Sequence, residues 1–172
     1  NPWVSCQHDG APTFALLRCL VPHHFSLSVH LDPGPLKSGE HENSHRRSGV
    51  VVHDKMEGGE YALAVRNGDI DVKKLRGSSV RVHALGGDVR VRSSLEGCVS
   101  VEADEVHAKR MMGEDIQVTA LRDIFVGALY GAAADIRSES GGIDVETARV
   151  EAMRFETAAN AEARREQEKS AP

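Results

Sequence analysis

One pattern limits what this chain can fold into: a doublet of apolar residues with a single residue between them. It recurs at Ile70/Val72, Val80/Val82, Val89/Val91, Val99/Val101, Val106/Ala108, Ile116/Val118, Ile124/Val126, Ala134/Ile136 and Ile143/Val145. Successive doublets start 10, 9, 10, 7, 10, 8, 10 and 9 residues apart. Alternate side chains of a β-strand point to opposite faces, so both members of a doublet point to the same side. The residue between them points away, and at Asp71, Arg81, Arg90, Ser100, Gln117 and Asp144 it is polar. Strands this short cannot bury a core alone. Coils stacked on one another can, because each coil covers the apolar edge of the last. Each buried Val or Ile contributes roughly 1.5–3 kcal/mol against the entropy of ordering the chain.

Glycine stands one to three residues ahead of most doublets, at Gly68, Gly77, Gly87, Gly97, Gly113 and Gly142. The expected role is a positive-φ corner that turns the chain into its next strand. Aromatic residues make up only 4% of the chain, so the core must be aliphatic, which suits thin stacked layers. The expected fold is therefore all-β: a β-solenoid, or β-helix, of short strands. An antiparallel meander or sandwich produces the same spacing and stays open at this level. The number of strands in one coil is open too.

The flanks read differently. Residues 1–49 form an irregular, partly disordered region by composition, with most of the prolines and histidines. Within it, Phe14–Val21 is apolar enough for a short buried helix or strand. Phe25–Leu31 alternates apolar and polar residues, the period of a half-buried strand. Residues 32–49 are rich in turn formers and charge and read as an exposed loop. The solenoid is expected over residues 50–147. From Ala148 the doublets stop and Ala, Glu and Arg dominate, all good helix formers, so residues 148–172 are expected to be a helical or frayed tail covering the open end.

The runs Leu75–Val82, Gly87–Val91 and Gly141–Val145 resemble an adhesin-like β-solenoid repeat family, closest to its eukaryotic members, some of them mitochondrial. The resemblance covers about residues 62–147. It implies a right-handed solenoid and carries no catalytic residues. Members of that family continue with further repeats where this chain has its Ala/Glu/Arg tail, so the resemblance also implies a shortened form.

Candidate chemistry is sparse. Asp71, Asp135 and Asp144 would share a face if equivalent strands stack, as the carboxylates of solenoid polysaccharide-cleaving enzymes do. The competing reading is that Asp at outward and corner positions solvates the surface. Gly86-Gly-Asp88 and Gly141-Gly-Ile-Asp144 echo calcium-binding solenoid repeats, but two partial copies fall short of a repeated consensus. His23, His24, His30, His41, His45 and His53 crowd the N-terminal region beside Cys6 and His8 without paired zinc-ligand motifs. Arg81, Arg90 and Arg92 form a basic strip in sequence and are the candidate interaction face. No nucleotide-binding glycine loop or hydrolase nucleophile motif occurs.

Three widely spaced cysteines, Cys6, Cys19 and Cys98, read as free thiols of a reducing compartment rather than a disulfide framework, although a Cys6–Cys19 bridge stays open. They point to an intracellular setting, to which the resemblance adds the mitochondrion. A net charge of −5 argues against a nucleic-acid surface, and no stretch reaches the length of a membrane-spanning helix. The expected function is a non-enzymatic scaffold or interaction module for a protein or glycan, with no catalytic residues, cofactor or metal. The alternatives are a carbohydrate-active solenoid enzyme, or a shortened form without independent function. Unpaired end strands predict self-association.

Overall fold

The computed structural model describes residues 25–31 and 48–158. They form one sheet of parallel strands in the order β1 (Phe25–Leu31), β2 (Ser48–Arg66), β3 (Gly68–Ala120), β4 (Ile124–Ser138) and β5 (Ile143–Thr157). This is a β-solenoid of about six turns. Parallel pairing throughout excludes the meander, whose neighbouring strands run antiparallel.

Register gives the length of a coil. Val50 pairs with Ile70 and Tyr61 with Val80; Val106 pairs with Ile124, and Ile124 with Ile143. Each of these levels consumes 18–20 residues, and two doublets fall in every coil. The pairing comes in three runs separated by corners. In β2 they are Ser48–Val52, Lys55–Glu57 and Glu60–Arg66. We call these the first, second and third sides.

The core runs along the inside of all three. On the first side Ile70, Val72, Val89, Val106, Ile124 and Val126 are buried. The second side contributes one column, Leu75, Leu95, Met111 and Leu129, each fully buried. On the third side the doublets gain an inward neighbour: Tyr61/Leu63/Val65, Val80/Val82/Ala84, Val99/Val101/Ala103 and Ile116/Val118/Ala120. The doublet pattern misses the second-side column, because a single apolar residue between two corners has no period.

The glycines differ from the expectation. Only Gly86 (φ 73°) and Gly97 (φ 129°) take positive φ among the described residues, joined by Asn67 (φ 57°). Asn67 sits one level below Gly86, and its short polar side chain tolerates the left-handed conformation. Most of the corner glycines serve close approach. Gly77, Gly97, Gly113 and Gly131 stack so that a Cβ on each would collide with the carbonyl oxygen of the glycine one level below. Gly87 stands in the same relation to Gly68.

Both flanks correct the expected boundaries. β1 joins the third side, where Leu27, Val29 and Leu31 pair with Tyr61, Leu63 and Val65. Its offset to β2 is 34 residues because residues 32–47 intervene. At the other end the strand does not stop at Thr147. Ala148, Met153 and Phe155 pair with Leu129, Ala134 and Ile136. The finished level below offers a row of backbone donors and acceptors and an apolar edge. That template outweighs the helical preference of a short Ala/Glu/Arg segment, which is a few tenths of a kcal/mol per residue. The expectations for Phe14–Val21, for the loop before Ser48 and for a helix beyond Ala158 fall outside the described residues.

Candidate functional site

The outward side chains of the first side form three columns that run along the solenoid. Asp69, Asp88, Glu105 and Asp123 precede the doublets. Asp71, Arg90, His107, Phe125 and Asp144 lie between their members. Lys73, Arg92, Lys109 and Gly127 follow. A residue repeated at the coil length thus meets its equivalent one level away, about 4.8 Å up the stack.

The preceding column is structural. Asp69 Oδ1 accepts a hydrogen bond from Asp88 N at 3.0 Å. Asp123 Oδ1 accepts one from Gly142 N at 2.7 Å. Arg122 Nη2 lies 3.1 Å from Asp88 Oδ1 and 3.4 Å from Glu105 Oε2. These carboxylates tie each coil to its neighbours.

The middle and following columns enclose a shallow groove of about 410 Å³, lined by Arg90, Val91, Arg92, His107, Ala108, Lys109 and Phe125. The His107 and Phe125 rings stack with centroids 4.7 Å apart and planes 14° from parallel. Strand pairing places them on successive levels, and Phe125 stays 40% exposed. His107 Nε2 contacts Glu105 Oε1, which orients the ring. Arg92 donates to both oxygens of Asp71, with Nε 2.8 Å from Oδ1. That hydrogen bond, and then the charge of Asp71, raises the pKa of Arg92. Arg90 and Lys109 make no ion pair among the described residues and leave two cations facing the groove. Gly127 follows Lys109 in its column, so no side chain walls the groove beside Phe125.

The structure divides the basic strip read from the sequence. Arg90 and Arg92 share the first side and border the groove. Arg81 lies on the third side, paired with Ala62 in the ladder, and is separated from them by the corner at Gly86. Arg92 is further committed to Asp71. The groove adds His107, Lys109 and Phe125, which the sequence reading passes over as site residues. Their signal is a return at 17–18 residues after Arg90, legible only once the coil length is known.

The carboxylates proposed for sugar cleavage do not converge. Asp135 sits on the third side, where Arg137 holds it through Nε at 3.0 Å and Nη2 at 2.7 Å. Asp71 and Asp144 occupy one column, with Arg90, His107 and Phe125 on the levels between them. Four levels are about 19 Å, whereas glycosidase pairs stand about 5–9.5 Å apart. Asp88 and Asp144, from the two glycine-aspartate fragments, fall in different columns and cannot share an ion in register. Among the described residues no group of three or more His, Cys, Asp or Glu side chains converges as a metal site. His23, His24, His41, His45, Cys6 and Cys19 lie outside the described residues, while Cys98 is an exposed free thiol. No helix among the described residues is long and apolar enough to cross a membrane. Comparison with protein-family models, with curated proteins and with solved structures finds no match.

Proposed function

We propose that the chain is an adhesin-like, non-enzymatic solenoid scaffold whose first side receives an acidic glycan at the groove between Arg90 and Phe125. The single observation that supports this reading is the groove itself. Two cations that make no ion pair among the described residues flank a stacked, half-exposed ring pair. A cation in shallow water-filled surroundings keeps its attraction for a sulfate or uronate while losing little on desolvation. The exposed edge of Phe125 gives the apolar patch against which a sugar packs. The rigid stack fixes these groups before a ligand arrives, which lowers the entropy lost on binding.

The test is retention on an immobilised sulfated polysaccharide beside a neutral one. Retention on the acidic matrix is expected to fall at least tenfold in Arg90→Glu/Lys109→Glu and several-fold in Phe125→Ala. Arg81→Glu, around the corner, is expected to bind as the parent does. Binding that ignores the Arg90/Lys109 double variant would remove the groove. A parent chain that binds an acidic peptide and not the glycan would replace the ligand class.

A further inference from the structure

The last coil exposes what every inner coil buries. Met153 and Phe155 of β5 are 42% and 39% exposed, while Ala134 and Ile136 beneath them are 4% and 0% exposed. Ile143, Val145 and Val150 of the same coil are only partly buried. Among the described residues no strand pairs with the outer side of β5, and its N–H and C=O groups there form an edge along the third side. An edge of this kind, with an apolar row beneath it, is a template for another strand.

We infer that this edge pairs with the same edge of a second copy, antiparallel and centred on Phe155. The sequence of the edge is self-complementary in that register. Phe155 faces Phe155 of the second copy across the dyad, and Met153 faces Thr157. Arg154 falls opposite Glu156 of the second copy on the outward face, and the dyad repeats the pair. Both residues are exposed enough to accept a second partner: their side chains are 50% and 27% exposed. Cross-strand pairs of opposite charge and of aromatics are stabilising, and antiparallel ladders are slightly firmer than parallel ones. The alternative is parallel stacking on β1, which would place Arg154 against uncharged Ser28 and leave that cation unmatched. A coil also rises as it turns, so the end of the stack is stepped. Pairing on the third side leaves the other two sides apart, and the contact is small. It is an isologous contact, closed at two copies, at the small end of specific interfaces.

Sedimentation equilibrium of the full chain tests this from about 1 to 200 μM. The expected result is a monomer–dimer equilibrium with no larger species. Phe155→Lys should shift it to monomer while the far-ultraviolet spectrum and melting temperature stay close to the parent, because the site is already half exposed. Arg154→Glu should weaken the dimer about tenfold, the factor that corresponds to about 1.4 kcal/mol. Arg154→Glu/Glu156→Arg should restore it, because the swap recreates the pair across the dyad. A parent that stays monomeric throughout would overturn the proposal, the edge then being covered by the chain itself. Assemblies that grow past two copies would overturn it in favour of stacking on β1. A dimer indifferent to Phe155→Lys would place the contact elsewhere.

Discussion

At Gly113 the solenoid has no room for a single methyl group. A Cβ there would land on the carbonyl oxygen of Gly97, which in turn stands over Gly77. The level spacing is fixed by hydrogen bonds along the whole coil, so neither chain can retreat without breaking a ladder. Gly113→Ala is expected to cost about 1–3 kcal/mol, in the range of overpacked cores. Gly142 also stands ahead of a doublet, but a Cβ there would meet only Asp123 Oδ1, at an ordinary contact distance of 3.6 Å. Gly142→Ala is expected to stay within about 0.5 kcal/mol of the parent. Urea denaturation of the two variants separates a glycine required by packing from one that is not. Both glycines stand shortly ahead of a doublet in the sequence; the atom lying one level below shows which of them packing requires.

The second side buries a single column, and in the lower coils a charged ladder lies above it. Glu96 receives Lys74 Nζ at 2.7 Å on Oε1, Arg76 Nε at 3.5 Å on Oε2, and the Ser94 hydroxyl at 2.8 Å on Oε1. Partial burial pushes its pKa up, but the hydrogen bonds from Lys74 and Ser94 and the charges of Lys74 and Arg76 outweigh it, and the net shift is downward. A carboxylate whose pKa is lower folded than unfolded stabilises fully above its unfolded value. That contribution is lost as pH falls through the folded value. Asp135, lowered chiefly by its hydrogen bond from Arg137, behaves in the same way. The urea midpoint of the parent should therefore drop on acidification below the ordinary carboxylate range. Glu96→Gln should lower the midpoint at neutral pH and flatten the drop. A variant with the parent's full acid dependence would show that the ladder contributes nothing there.

In the whole molecule each coil touches only its neighbours, so stability is graded along the axis and weakest at the ends. Ile124 and Ile143 are equivalent residues on adjacent levels of the first side. Ile124 is fully buried, and Ile143, in the last coil, is half-buried. Ile124→Ala is expected to cost about 2–5 kcal/mol and Ile143→Ala less than half of that. Hydrogen exchange should follow the same order, with β5 amides exchanging faster than those of β3. Equal losses at the two positions would mean that the end coil is covered as well as the interior. Covering the last coil, by a second copy or by the chain itself, is thus a question of stability as much as of recognition.

The doublets by themselves determined an all-β chain of short strands that borrow their core from neighbours, while the parallel pairing decided for a solenoid over a meander. They also located most of the core, from Ile70 to Val145, and the alternation of Phe25–Leu31 located β1. What they could not supply was the length of a coil, since nine similar doublets pair equally well one apart or two apart. Tertiary packing chose two doublets and a lone second-side residue for each level. That choice decides which side chains are neighbours: it separates Arg81 from Arg90, spreads Asp71 and Asp144 along one column, and brings His107 onto Phe125. It also carries the strand through Ala148–Thr157, where local preference favours helix, because a finished edge is a stronger instruction than the propensity of the residues laid on it.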